Sequence, residues 1–489
     1  MNNSTIKSYR AGAAIAPYTI VKFGASSSEV VTSTSPDDLH IGVTGELGAA
    51  QGERIDVRMG EIGDVRFGGA VGRGQPITAD ALGRATAAAP GNRTIGMAMI
   101  DANAGDVGAC TILAGSNGTA PVAAAYATSD IPRWSKTLAD ARAGLLATPA
   151  RIAFVGDSKT RGAGAGSANS SGQALSGAAM KARPYRVGEI MRAAGIPVAL
   201  NTWFGAGGAG TIPDVVAYDP RLSGFTNWGG GGAVLGGGHL VCNVNDPGQM
   251  TPNTPVNRVS LFYRDSPGRP DMTITKGADP VVTIVPPKNA AGSLIRAEAV
   301  FATRDMSPVV LARAAGAASA MQIAGLVCWD STAPGIEIAN LGVFGVTSAY
   351  QAGTADATAP LLALGVYAPH LTVINLGTND LTTGVARATW IANITAIVRQ
   401  AKISGDVILC WPAVAGVSPS GGSDGDRAVW RAALKQLATD EGCLFVDEEA
   451  LTGGRAATQS GGWFADSVHE NGSAYYRQAA ALARVIINA

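Results

Sequence analysis

The sequence predicts a multidomain chain: an all-β module, then an α/β unit whose parallel sheet is covered by helices on both faces, interrupted by an inserted antiparallel β-sandwich. Three observations lead there. Residues 1–115 are short β-type runs broken by Gly, Pro and Asp, with almost no helical periodicity. From residue 150, and again after 335, short apolar runs alternate with helix-period segments, the rhythm of a parallel sheet. Between 206 and 334 that rhythm stops and strand-like runs follow one another with turn signals between them. A length of 489 residues suits several domains better than one.

Hydrophobic residues make up 46% and charged residues 15%, a composition that can build cores. The 64 glycines favour turns and close backbone approach. Acidic and basic residues balance at 37 each, so no net field gathers nucleic acid or anionic lipid, and neither is expected as a partner. The start, MNNSTIKSYRAGAAIAPYT, lacks a basic region followed by an apolar one and does not read as a signal peptide. No apolar run reaches the roughly 18–20 residues of a membrane span. The cysteines (Cys110, Cys242, Cys328, Cys410, Cys443) are scattered with no C-x-x-C pair, so they read as buried free thiols rather than a zinc site or a disulfide framework.

In the β-module the candidate strands are YTIVKFG, EVVTST, RIDVRMG, DVRFGGAVG, NRTIGMAMI and GACTILAG. A weak internal repeat relates Ile41-Gly42 through RIDVRMG to Ile95-Gly96 through GACTILAG, which suggests two similar β-lobes. Residues 116–149 read as a linker with one short helix in WSKTLADARAGLLA, with Leu138, Ala141 and Leu145 on one face. The first α/β part, 150–205, runs from the buried strand RIAFVGDS through the helix RPYRVGEIMRAAG to a strand in PVALNTWFG. The insertion, 206–334, holds RVSLFYRD, MTITKG, PVVTIVPP, SLIRAEAVFA and MQIAGLVCWD. The second α/β part, 335–489, alternates the strands GIEIANLG, HLTVINLG, DVILCWPAV and CLFVDEEAL with helices and closes on the helix GSAYYRQAAALARVIINA.

Four short pieces fall at the carboxyl ends of the α/β strands, where open parallel sheets assemble their sites. They are Gly156-Asp157-Ser158; N-L-G-V-F-G-V-T from Asn340 to Thr347; Gly377-Thr378-Asn379-Asp380; and D-S-V-H from Asp466 to His469. Together they suit acyl transfer. A serine hydroxyl needs a base within hydrogen-bond reach, His469 can be that base, and Asp466 can fix its tautomer. An oxyanion needs preorganised donors, for which the backbone N–H of Ser158, the backbone N–H of Gly345 and the amide of Asn379 are candidates. Taken singly, each piece reads as an ordinary turn, loop or helix cap.

In order and spacing the four pieces resemble the blocks of the SGNH (GDSL-type) hydrolase family, over 150–205 and 335–489. The resemblance implies a three-layer α/β fold, Ser158 as nucleophile, Gly345 and Asn379 as oxyanion donors, and Asp466 and His469 as the remaining pair. No His/Asp/Glu cluster at metal spacing stands out, and no metal or cofactor is expected. Two features depart from the pattern. Lys159 follows the serine where an apolar residue is usual, and the insertion separates the first two blocks. NTWFGAGGAGT offers a rival second block, in which Gly208 would replace Gly345. Asp157 and Trp463, near the catalytic pieces, are candidates for substrate contact. His40 reads as a surface or structural residue, His370 as structural, His239 as a loop residue and a candidate for substrate contact, and Trp203 and Trp228 as core. GAGAGSANSSG lacks the Lys-Ser/Thr of a phosphate loop and reads as flexible rim.

The β-module, through APYTIVKFG, DDLHIGVTGELGAAQGE, VGRGQPITAD and RTIGMAMIDANAGDVGACTILAG, resembles phage capsid decoration (cementing) proteins. The two resemblances imply a virion-surface esterase assembled in the host cytoplasm. Its partners would be a capsid protein and a bacterial surface glycan bearing O-acetyl groups, and a homotrimer is expected. The competing readings are a structural or receptor-binding protein on an inactive esterase scaffold, and a free bacterial esterase.

Overall fold

The computed structural model describes residues 6–89, 92–113, 131–168, 174–207, 212–289, 292–314, 319–412, 424–451, 463–466 and 468–488. The chain divides into two compact units, Met1–Tyr126 with Glu449–Trp463, and Ala127–Glu448 with Phe464–Ala489.

The first unit is β throughout its described N-terminal part. Strands β1 (Ile6–Ala11), β2 (Ile20–Phe23), β3 (Glu29–Thr32), β4 (Gly42–Thr44) and β5 (Arg54–Arg58) form a closed barrel in the order β1-β3-β2-β4-β5. Closure comes from β1, which pairs parallel with β3 and antiparallel with β5. The barrel interior holds Tyr9, Ile15, Val21, Val30, Ile41, Ile55 and Val57, and the period-2 pattern of RIDVR puts Ile55 and Val57 inside. Strands β6 (Gly60–Arg66), β7 (Pro76–Ala79), β8 (Ala85–Ala87), β9 (Gly96–Met97) and β10 (Val107–Leu113) build a β10-β6 pair and a β8-β7-β9 sheet around a second cluster that includes Val65, Phe67, Ile77, Ile95 and Cys110. The repeat suggested by the sequence falls across these two clusters. One copy is the β4–β5 hairpin; the other is β9–β10, joined by the Ala98–Cys110 bridge. His40 is buried here between Ser33 and Thr78, so it is structural rather than a surface residue.

In the second unit, Pro132–Arg142 is a helix with Pro at its start, inside the stretch read as a linker. Trp134 is fully buried, its backbone N–H donates to Asp406 and its indole N–H to the carbonyl of Ile486. Leu138 and Ala141 are buried with it, but Leu145 lies past the helix end and is exposed, contrary to the helical face expected from spacing.

Strands β11 (Ala150–Gly156), β12 (Ser167–Ala168), β13 (Ala174–Ser176) and β14 (Thr202–Phe204) come next. The central parallel sheet joins β11 to strands of the last third: β25 (Ile336–Gly342), β26 (Leu371–Asn375), β27 (Asp406–Trp411) and β28 (Leu444–Asp447), in the order β25-β11-β26-β27-β28. Its strands are buried on both faces, the reason they read as unbroken apolar runs. One face, with Val155, Leu341, Ile374 and Leu409, shares a core with Tyr367, Trp390, Ile394 and Leu434 of the helices Pro360–Tyr367, Arg387–Lys402 and Asp424–Asp440. Toward the other face, Gly188 of the helix Arg183–Ala193 packs against Ile338.

Between β14 and β25 run β15 (Leu222–Gly224), β16 (Trp228–Val234), β17 (Gly237–Cys242), β18 (Gly248–Met250), β19 (Val256–Arg264), β20 (Met272–Lys276), β21 (Val282–Ile284), β22 (Leu294–Asp305), β23 (Val309–Arg313) and β24 (Met321–Trp329). They form two antiparallel sheets, β16-β17-β24-β19-β22 and β15-β18-β23-β20-β21, and one apolar cluster takes Leu261, Phe301 and Ile323 from the first and Met250, Ile274 and Leu311 from the second. β14, read from sequence as the second strand of the α/β rhythm, instead pairs antiparallel with β24. That stretch meets the parallel sheet at its edge strand β25, through the bridge between Val198 and Ile336 and through the Asn201 N–H and Thr202 hydroxyl, which donate to Glu337. His239 is not a loop residue: it lies within β17, fully buried, with Nδ1 against the carbonyl of Gly232. Trp203 and Trp228 are core residues.

Candidate active site

Register brings the pieces together. Gly156, at the end of β11, is level with Gly342 at the end of β25 and with Asn375 at the end of β26. The segments carrying Ser158, Gly345 and Asn379 therefore leave three adjacent strands at one height on one edge of the sheet. Gly156 is required there: a Cβ would lie 2.0 Å from Thr160 Oγ1 and 2.8 Å from the carbonyl of Asn375. Its absence lets the chain turn at once into the short helix Ser158–Arg161.

Asp157 caps that helix, its Oδ1 accepting the backbone N–H of Lys159 at 2.9 Å. The residue is 1% exposed and its Oδ2 has no hydrogen-bond partner. Burial pushes the carboxyl up to about 6, against the pull of the Lys159 N–H and ammonium. Ser158 is 6% exposed at the first position of the helix.

The histidine arrives on a small loop closed by the antiparallel bridge between Phe464 and Glu470. Asp466 organises it: Oδ1 accepts the backbone N–H groups of Val468 and His469, both at 2.7 Å, and Oδ2 meets His469 Nδ1 at 2.8 Å. His469 Nε2 lies 2.9 Å from Ser158 Oγ. A carboxylate can only accept, so Nδ1 carries the proton and Nε2 is left to accept from the serine hydroxyl. Partial burial works against ionisation of Asp466, but the hydrogen bonds from the His469 ring and from the two backbone N–H groups outweigh it and hold the carboxyl below its usual value. Such a chain can take the serine proton as Oγ attacks an acyl carbon.

Gly345 is exposed with φ +68°, and nothing lies within 4 Å of where a Cβ would stand, so its backbone is open to a ligand. Asn379 sits in the helix Thr378–Thr382, its Nδ2 donating to the carbonyl of Val346 at 2.8 Å. Asp380 accepts from the backbone N–H and hydroxyl of Ser348, tying the same two segments together; burial raises its carboxyl and these bonds offset part of the rise. Gly208 lies outside the described residues. The neighbouring Gly207 accepts from the N–H of Phe344 at 3.0 Å, so its segment braces the one that carries Gly345. Trp463 is partly buried in a segment grouped with the first compact unit. Within GAGAGSANSSG, Ser167–Ala168 form β12, which pairs antiparallel with β13 just beyond the segment, and residues 169–172 lie outside the described set.

Sequence reasoning missed the ionic groups beneath the site. Lys159 is 2% exposed and its ammonium meets Glu470 at 3.0 Å. Arg183 pairs with Glu448 and donates to Thr160 Oγ1, and Asn375 donates to Glu448 at 2.7 Å. Nothing local in the sequence links positions 311 apart. His370 is structural, its Nδ1 accepting the N–H of Arg151. Among the described residues no group of three or more His, Cys, Asp or Glu could hold a metal ion, and no helix is long and apolar enough to cross a membrane.

Residues 315–477 match the GDSL-like lipase/acylhydrolase family, a span that takes in Gly345, Asn379, Asp466 and His469. Residues 2–115 match the phage cement protein family. A solved peptidoglycan O-acetylesterase is 17% identical and aligns over 73% of this chain and 97% of its own, with a TM-score of 0.55, so the two share a fold. Smaller alignments are to the N base of the bacteriophage phi29 head fiber (16% identity, 22% of this chain, 92% of that one, TM-score 0.20) and to a family two carbohydrate esterase from Clostridium thermocellum (11%, 51%, 94%, 0.26). No curated protein matches the chain.

Proposed function

We propose that this chain, which carries a GDSL-like lipase/acylhydrolase domain C-terminal to a phage cement protein domain, is a virion-associated serine esterase that removes O-acetyl groups from a bacterial surface polysaccharide. The observation that carries the reading is the hydrogen-bonded series Asp466–His469–Ser158 at the strand ends. Ser158 Oγ attacks the acetyl carbon while its proton passes to His469 Nε2. The resulting oxyanion is met by the N–H groups of Ser158 and Gly345 and by the second amide hydrogen of Asn379, the first being engaged by Val346. The intermediate collapses as His469 returns the proton to the departing sugar oxygen. Water, deprotonated by the same imidazole, then releases acetate from the serine.

The two antiparallel sheets around one core read as a β-sandwich inserted between the first two blocks, and we assign it to framing the glycan. The cement domain supports attachment to a capsid, and we assign the attached protein a homotrimeric state. Hydrolysis of p-nitrophenyl acetate by the wild type and by Ser158→Ala tests the chemistry. Equal rates would leave a structural or receptor-binding protein on an inactive scaffold. Attachment is tested by adding the full chain, and a chain beginning at Ala127, to capsids stripped of the protein: only the full chain should rebind, and it should sediment as a trimer.

A further inference from the structure

We infer that the buried ion pair Lys159–Glu470 is a positioning device that holds His469 in hydrogen-bond reach of Ser158. The inference rests on the esterase reading for its consequence in rate, but on the structure alone for its geometry.

The pair is placed for that task. Lys159 directly follows Ser158, and Glu470 directly follows His469, so the ion pair runs alongside the serine–histidine hydrogen bond and joins the same two segments. Both side chains are shielded, at 3% and 1% exposure, so solvent screening is small. Glu470 is itself fixed from three sides. Its backbone closes the histidine loop through the bridge to Phe464. The same carboxylate oxygen that meets Lys159 accepts from Gln478 of the last helix at 3.1 Å. The next residue, Asn471, caps that helix by accepting from Ser473 and Ala474. Backbone packing completes the clasp: at Gly164, φ +87°, a Cβ would meet the carbonyl of Glu470 at 2.5 Å and the Cβ of His469 at 3.1 Å.

A buried ion pair is a weak source of net stability, because desolvating both charges offsets most of their attraction. What it supplies is geometry, since the pair is favourable only at close approach. The histidine loop has an internal order set by Asp466, but that order leaves the whole loop free to shift relative to the nucleophile turn. The Lys159–Glu470 contact fixes that remaining register. Lys159, a departure from the usual apolar residue, thereby gains a role.

The test is Lys159→Met combined with Glu470→Gln, which removes both charges together and keeps an acceptor for Gln478. Two readings are taken on the full chain: the crystal structure of the variant, and its kcat and KM on p-nitrophenyl acetate alongside the melting temperature. The expected result is a folded protein whose Ser158 Oγ to His469 Nε2 separation has lengthened past about 3.5 Å, beyond a hydrogen bond. With it, kcat falls by roughly 10–100-fold while KM stays within about twofold, and Lys159→Arg, which keeps the charge, retains most of the rate. An unchanged separation of 2.9 Å, or a wild-type kcat in the folded variant, overturns the inference. If the wild type itself hydrolyses no ester, the esterase reading fails, and the structural reading still decides the positioning claim. Should the variant not fold, Lys159→Met with Glu470→Met fills the same space without charge and is read in the same way.

Discussion

The side-chain amide of Asn379 donates to the carbonyl of Val346 at 2.8 Å, joining the segment after β26 to the residue that follows Gly345. Two of the three expected oxyanion donors, Gly345 and Asn379, thus sit on segments that this bond joins. Asn379→Ala removes a donor and loosens the loop that carries the second, so kcat is expected to fall by about 10²–10³ or somewhat more. Steady-state kinetics on an acetyl ester checks this, with KM little changed because the donors act on the transition state.

Asp466 accepts two backbone N–H groups on Oδ1 and the imidazole on Oδ2. Asp466→Asn keeps a carbonyl oxygen for the backbone pair, so the loop should persist while the imidazole loses its anionic partner. A fall in kcat approaching about 10⁴ is expected, as the wrong tautomer then faces the serine. Circular dichroism should be unaltered. A variant that is folded and fully active would remove Asp466 from the mechanism.

Asp157 has a consequence for stability. Its carboxyl stands at about 6 in the folded protein because burial disfavours the charge, against about 3.9 in an unfolded chain. The folded state therefore holds its proton over a range where the unfolded state has lost it, and stability associated with this group is lost as pH rises through 6. Asp157→Asn keeps the cap on Lys159 without the charge. Its melting temperature relative to wild type should rise between pH 5 and pH 7.5, a gap on the order of 2–3 kcal/mol at the upper end. A difference that stays flat with pH would show that Asp157 ionises freely.

Trp134 anchors the helix Pro132–Arg142 through a buried indole and bonds to Asp406 and Ile486. Trp134→Ala opens a cavity and orphans the carbonyl of Ile486. A loss of about 3–5 kcal/mol in denaturant unfolding is expected.

All five cysteines are buried and free. Ellman's reagent should leave them untouched in the native protein and titrate five thiols after denaturation. A fast-reacting thiol in the folded state would contradict that burial.

The strands of the parallel sheet were legible because burial on both faces leaves short unbroken apolar runs, as in IAFVG, LTVIN and DVILCW. Alternation in RIDVR revealed a β-module, but not that β1 would pair with both β3 and β5 and close a barrel, since strand partners are chosen far along the chain. The same limit explains β14: TWF is a strand on local grounds, yet its partner is β24, more than a hundred residues away and in the antiparallel sheet. Leu145 fitted the helical period but lies beyond the turn at Gly144, whose φ of +67° ends the helix. In the site, Ser158, Asp466 and His469 could be named because acyl transfer demands those residue types at strand ends. Lys159 and Glu470 could not be paired, because a charge in sequence carries no mark of the partner that makes its burial tolerable.

The central claim is that Ser158 is a nucleophile activated by His469. Trapping with a fluorophosphonate, followed by peptide mapping, tests it most directly. The account predicts one covalent adduct, on Ser158, absent from Ser158→Ala and formed far more slowly in His469→Ala. Failure to label the folded wild type, or an adduct on a different residue, would contradict it.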